Sequence, residues 1–167
     1  MARSPRRDLI AATEVGVDHC VQRAVRQAWM CGQDPVTGKN FDHRQIWIQE
    51  RLAFLAGQFA IDVCSITMMS NHVHLVLRNR PDIAGQWSDE EVARRWWNLF
   101  PGRKAEDDRA AEPEAHELAM LLADAETLEE RRQRLSSISW LMRCLAEPAR
   151  LRPPTSGFSP SRKQPRR

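Results

Sequence analysis

The sequence predicts an α+β domain in which short antiparallel strands are combined with helices. Two β-rich runs, Ile61–Met69 and His72–Leu77, are separated only by Ser70-Asn71, a spacing typical of an antiparallel pair. Segments on both sides of this pair carry apolar residues at the 3.6-residue spacing of helices. A chain of 167 residues that is 42% hydrophobic suits a single domain with its own core.

The elements before the strand pair are predicted from alternating polar and apolar residues and from residues that form turns. Apolar and polar residues alternate from Val15 to about Ala24, which predicts a first strand. Asp34-Pro35 and Thr37-Gly38 then mark turns in a loop. The segment from Phe41 to Phe59 is expected to be a helix, with Asp42 placed to cap its first turn.

Helices are predicted after the strand pair. The Ser88–Glu91 capping box begins a helix that ends at Pro101-Gly102. Residues 103–113 are charged and lack an apolar stripe, which favours a loop or an insertion. Helical character returns over His116–Arg134 and again over Ser136–Leu145.

Charge is distributed unevenly along the chain. Residues 1–7 and 150–167 hold nine of the 25 Lys and Arg residues and no acid, which leaves 16 cations against 22 acids in residues 8–149. Basic ends can bind phosphate, and Arg3, Arg6 and Arg7 are candidates, although solvated tails explain the same charge. Between Glu106 and Glu130 lie ten acids and one Arg, so we expect this stretch to avoid nucleic acid.

Composition excludes several classes of protein. No apolar run reaches the roughly 18 residues of a membrane span, and no signal-peptide core follows Met1–Arg7. The four cysteines form no C-x-x-C pair, which favours free thiols in the cytoplasm. The sequence contains no tyrosine, so no tyrosine nucleophile is available within it.

The strongest chemical feature is Asn71-His72-Val73-His74. Residues i and i+2 of a strand share a face, so the imidazoles of His72 and His74 converge while Val73 faces the other way. Two imidazoles can ligate one divalent metal if further ligands are supplied, and Asn71 can orient them. Ordinary half-buried histidines are the alternative. His19 either neighbours the pair, if the two strands are adjacent, or hydrogen-bonds to backbone.

The residues around the two histidines resemble a family motif. Met69–Leu77 (MSNHVHLVL) is similar to the MPNHVHLLL motif of the HUH transposases with a single catalytic tyrosine, closest to the REP-associated tyrosine transposases. Ser70 stands where proline is usual. Val17–Arg23 resembles the first strand of the family, with Asp18 in place of a tyrosine. Two further segments resemble helices of the family: Phe41–Gly57 and Ser136–Pro148.

The resemblance implies an RRM-like or ferredoxin-like HUH core, a small antiparallel sheet with helices packed on one face. This incomplete core would occupy residues 8–148, with an acidic insertion at about 103–130. Residues 1–7 would be a basic extension, and residues 149–167 a disordered, basic, Pro/Arg-rich tail.

The resemblance also implies a function in DNA transposition. Family members bind single-stranded hairpin DNA, and His72 and His74 correspond to their ligands for Mg²⁺ or Mn²⁺. That metal polarises a phosphate, which a tyrosine from a later helix attacks. Arg23 corresponds to the arginine of the family's first strand, and we count it among the candidate DNA contacts.

The chain departs from the family after Pro148, where the tyrosine-bearing helix and the third metal ligand are absent. We expect that a frameshift or truncation replaced this part, that metal binding is weak, and that the chain alone neither cleaves nor transfers DNA. Two other interpretations stay open, a domesticated hairpin-binding regulatory protein and a non-functional gene remnant. A homodimer and an association with an intact transposase both stay open as well.

Overall fold

A computed structural model describes residues 14–23, 30–106 and 110–147. The fold is α+β, as the sequence predicts. The elements in chain order are β1 (Gly16–Arg23), α1 (Asp42–Gln58), β2 (Ile61–Met68), β3 (His72–Asn79), α2 (Pro81–Ala84), α3 (Asp89–Leu99), α4 (Ala115–Leu122), α5 (Ala125–Leu135) and α6 (Ile138–Ala146). The expected basic extension at residues 1–7 and the expected tail at 149–167 lie outside the described residues.

The three strands form one antiparallel sheet in the order β1-β3-β2. The β2–β3 pair forms because the connection is short, and Met69 N–H donates to the His72 carbonyl across the turn at 2.8 Å. The third strand, β1, comes from far away in the sequence and pairs with β3 over its whole length, from Gly16 opposite Asn79 to Arg23 opposite His72. Strand β3 therefore lies between both neighbours.

The helices cover one face of the sheet. Along β3 the buried side chains of Val73, Leu75 and Leu77 alternate with the half-buried His72 and His74. The buried set meets core residues of α1, α3 and α6, which include Leu52, Leu55, Val92, Leu99, Leu141 and Cys144. Because side chains of a strand alternate between the two faces, the histidines lie on the side away from this core.

The ends of the helices follow local side-chain chemistry. Ser88 Oγ accepts a hydrogen bond from Glu91 N–H at 3.2 Å, which confirms the predicted helix start. Asp42 acts differently from the prediction, since it is the first helical residue and its carboxylate accepts from Gly32 N–H at 2.7 Å. This hydrogen bond from Gly32 lowers the pKa of Asp42. Asp42 thus ties the preceding loop to α1 rather than capping the helix.

Two features differ from the expected helices. The single helix predicted over His116–Arg134 is two helices, because the Asp124 carboxylate accepts from the N–H groups of Glu126 and Thr127 and begins α5 there. The short helix α2 was not predicted, although Pro81 at its first turn is a residue that favours helix starts.

The acidic stretch belongs partly to the packed structure. Leu128 of α5 is buried in the core, and Leu135 at the end of α5 is fully buried. Arg103 bonds to Glu117 at 2.9 Å and to Glu114 at 3.0 Å, which fastens the loop after α3 to α4. The interpretation of residues 103–130 as an insertion stays a prediction. None of the helices in the described part of the chain is both long and apolar enough to span a membrane.

Leu75→Ala should destabilise the protein by about 2–5 kcal/mol, because it opens a cavity in the central strand where the side chain is fully buried. Val17→Ala, at a residue that is 62% exposed on β1, should change stability by no more than about 0.5 kcal/mol. Urea unfolding followed by circular dichroism measures both variants. A gradual, non-cooperative loss of signal in the wild type would support the gene-remnant interpretation.

Glu117→Gln should reduce stability at neutral pH but not in acid. The Arg103 guanidinium, helped by Glu114 N–H, lowers the pKa of Glu117 from 4.5 to about 2. A lowered pKa in the folded state stabilises the protein above the unfolded value, and this stabilisation is lost as pH falls from about 4.5 towards 2. The difference between variant and wild type in thermal unfolding should therefore shrink over this range. A difference that is constant with pH would contradict the assigned ion pair.

Candidate functional site

The face of the sheet away from the helices carries the predicted site residues. We call it the open face and define it by cross-strand neighbours on the three strands: Val17, His19, Val21, Arg23, Asp62, Ser65, Thr67, His72, His74, Val76 and Arg78. Val17 and Val21 are 62% and 49% exposed, so no described element packs on them. Among the described residues, this part of the open face is therefore left uncovered.

His72 and His74 lie side by side on the open face, as the i, i+2 spacing predicts. Their ring centroids are 6.2 Å apart, with the planes at 45°. Val73 between them is 1% exposed and anchors the strand in the core. The burial of Val73 thus fixes the direction of both imidazoles.

Asn71 contacts His72 in the way that was expected of an orienting residue. The Asn71 side-chain oxygen lies 2.5 Å from His72 Nδ1. An amide oxygen only accepts hydrogen bonds, so Nδ1 of His72 carries the proton and Nε2 keeps its lone pair when the ring is neutral. Metal-ligating histidines are held by such a contact in many proteins.

His19 is the third imidazole of the site. Strand β1 is adjacent to β3, and His19 lies diagonally from His74, so the two rings meet edge to edge and nearly coplanar, with centroids 5.2 Å apart and planes at 19°. His19 Nε2 is 3.0 Å from His74 Nδ1. His19 thus neighbours the pair through a side-chain contact, rather than through the backbone bond that was the alternative.

Arg23 is the described cation nearest in register to the histidines, since it is paired with His72 at the end of β1. It is exposed, and no acidic side chain among the described residues forms an ion pair with it. The other predicted DNA contacts, Arg3, Arg6 and Arg7, lie outside the described residues. At the far end of the open face Arg78 is neutralised by Asp62 at 2.6 Å. Free positive charge therefore lies at the histidine end.

Sequence reasoning missed the Asp62–Arg78 pair. Asp62 also contacts Arg80 at 3.5 Å, so one carboxylate joins two arginines at the end of the sheet far from His72. Alternation along β2 groups Asp62 with Ile66 and Met68, on the face opposite Ser65 and Thr67, so the sequence pattern does not predict the pair. The bulge between Val63 and Ser65 shifts that phase, and a bulge is not readable from alternation alone.

The remaining described histidines and the adjacent tryptophans of α3 lie apart from the pair. Trp97 is 6% exposed and donates its indole N–H to the Ala111 carbonyl, whereas Trp96 is half-buried. His43 packs on Trp47 in α1, and the His116 side chain is 69% exposed beside Glu114.

The two imidazoles could supply only part of a metal site. Within the described ranges, no group of three or more His, Cys, Asp or Glu side chains is placed to hold a metal ion. The pair suits Mn²⁺ better than Mg²⁺, because Mg²⁺ prefers oxygen ligands and releases its water reluctantly. His72 and His74 could therefore supply two ligands to such an ion, and the remaining ligands would have to come from water or a phosphate oxygen.

The chain was compared with protein-family models, curated proteins and solved structures. No protein-family model matches the chain, and neither a curated protein nor a solved structure matches it.

His72→Ala should weaken Mn²⁺ binding at least about tenfold, because removal of a ligand costs no less than the loss of a residue that merely orients one. His43→Ala is the matched control, since it removes one imidazole from α1 and leaves the open face intact. Electron paramagnetic resonance of free Mn²⁺ gives the affinities. Equal weakening by both variants, or by neither, would contradict a site on the open face.

Proposed function

We propose that the open face binds single-stranded or hairpin DNA and that His72 and His74 hold a divalent ion, preferably Mn²⁺, against a phosphate. The protein would descend from the single-tyrosine HUH transposases. The observation that carries this proposal is the position of the two imidazoles, side by side on the accessible face of a β-hairpin that bears the Met69–Leu77 motif. A resemblance in sequence alone would not require the histidines to be accessible.

The described residues suggest a division of tasks. The bound ion would polarise a phosphate oxygen and stabilise negative charge on the phosphate. Asn71 holds His72 with its Nε2 lone pair outward, and Arg23 adds positive charge beside it. Val21 of β1 and Thr67 of β2 flank His74 and offer contacts to sugars and bases. Together these groups can bind and orient a phosphodiester.

Charge on the helical side agrees with binding at the open face. The acidic residues of the segment after α3 are carried by α4, α5 and their connections, and α5 packs in the helical layer. Negative charge there would repel phosphate, whereas Arg23 at the open face would attract it. A nucleic acid is thus favoured on the sheet side.

Covalent transfer needs a nucleophile that this sequence does not contain. Transposases of this type attack the phosphate with a tyrosine, and the 167 residues include none. The proposed activity of the chain alone is therefore binding, with an incomplete metal site. This observation also favours the second candidate, a hairpin-binding protein that regulates or competes with an intact transposase. Tight, sequence-selective binding distinguishes the regulator from an inactive relative that binds by charge alone.

Arg23→Gln should weaken the binding of a labelled DNA hairpin and should lower the slope of log affinity against log salt by about 0.7–1, the value for one lost phosphate contact. Arg94→Gln is the charge-matched control, because the Arg94 side chain is exposed on α3, away from the sheet, and pairs with Glu90 at 2.9 Å. Fluorescence anisotropy at several salt concentrations measures both. A larger effect of Arg94→Gln would indicate that the DNA binds the helical side instead of the open face.

Incubation with a hairpin and Mn²⁺ should give neither cut DNA nor a protein–DNA adduct on a denaturing gel. The physical reason is the missing phenolate, since serine and water attack phosphodiesters far less readily without further activation. An intact relative with its tyrosine, run in parallel, verifies the substrate. A band that survives denaturation would reveal a different nucleophile and overturn the assignment of this chain as a binding protein.

A further inference from the structure

His72 and His74 of β3 each make their side-chain contact through the same type of ring nitrogen, Nδ1. Nδ1 of His72 meets the Asn71 side-chain oxygen, and Nδ1 of His74 meets Nε2 of His19. The structure gives neither Nε2 atom a hydrogen bond from another described residue. Both rings therefore direct the opposite nitrogen, Nε2, away from their supporting contacts.

The contact between His19 and His74 allows two arrangements of one proton. Either His19 donates from Nε2, which leaves the proton of His74 on its own Nε2, or His74 donates from Nδ1 and keeps a lone pair on Nε2. Only the second arrangement gives His74 the same outward lone pair that Asn71 enforces on His72. The choice between them decides whether the pair can act as two ligands at once.

We propose that His19 is a positioning residue that accepts the Nδ1 proton of His74 and so prepares Nε2 of His74 for a metal ion. This assignment rests on the proposed function in one respect, because it names the metal-facing nitrogen of the same site. His19 would orient His74 from the neighbouring strand, just as Asn71 orients His72 from the adjoining turn.

The fold explains why His19 can take this part. The β1–β3 register places His19 diagonally from His74, within reach of a long side chain. Cys20, the next residue, is fully buried and fixes the direction of the His19 side chain. The two rings lie nearly coplanar, at 19° with centroids 5.2 Å apart, so His19 meets the Nδ1 edge of His74 and leaves the Nε2 edge of His74 unblocked. His74 would thus bind the ion, while His19 fixes the orientation of the His74 ring.

Nitrogen-15 NMR of the metal-free protein tests the proton position directly. In mildly alkaline buffer, where imidazole is neutral, the two ring nitrogens of each histidine give distinct signals for the protonated and the lone-pair form. His74 should show a protonated Nδ1 and a lone pair on Nε2. A protonated Nε2 on His74 would overturn the proposal, whatever the protein does with metal or DNA.

Two substitutions of His19 extend the test to binding. His19→Leu removes the acceptor, so His74 should revert towards a protonated Nε2 and Mn²⁺ affinity should fall about tenfold, as for other lost contacts to metal ligands. His19→Gln retains an acceptor oxygen and should restore both the NMR pattern and most of the affinity. Because His19 is exposed, both variants should fold, which the amide spectrum verifies.

The outcomes separate the two proposals. Loss of Mn²⁺ binding in His19→Leu without any change in the His74 signals would assign His19 as a direct ligand and overturn its positioning role. Unchanged affinity and unchanged signals in His19→Leu would also overturn it. If the wild type binds no Mn²⁺ at all, the proposed metal function fails, and the His74 signals of the metal-free protein still decide the role of His19.

Discussion

The two-sided pairing of β3 is the constraint on which the structure depends. Its neighbours fix its register on both edges, and the alternation of a strand then divides its residues into a core set and an exposed set. A slip by one residue would bury His72 and His74 and expose Val73 and Leu75. The packing of Val73 and Leu75 against the helices therefore also places both imidazoles on the open face.

The site is built by contacts along and across this strand. Asn71 reaches His72 from the turn, and His19 reaches His74 from β1. The open face is thus organised around imidazole nitrogens, while the carboxylates of the acidic stretch are engaged elsewhere, as Glu117 is with Arg103. Such a donor set favours a transition-metal ion over Mg²⁺.

Much of this arrangement could be predicted from the sequence. Alternating polarity and the short Ser70-Asn71 turn are local signals, and they predict β2, β3 and the shared face of His72 and His74. The partner of His19 was not readable, because it depends on the pairing of β1 with β3 across some fifty residues of sequence. The break at Asp124 was missed because a side chain that begins a helix competes there with a continuous apolar pattern.

The proposed ion should bind at the open face rather than on the helical side. Mn²⁺ broadens the NMR signals of nearby nuclei, so a titration of the labelled protein in the presence of hairpin DNA locates it directly. We expect early loss of amide signals around His74, Val21 and Thr67, which are neighbours on three strands. Early loss around Glu114 and Glu117 instead, with the strand signals intact, would place the ion on the acidic helices and rule out a site at the two histidines.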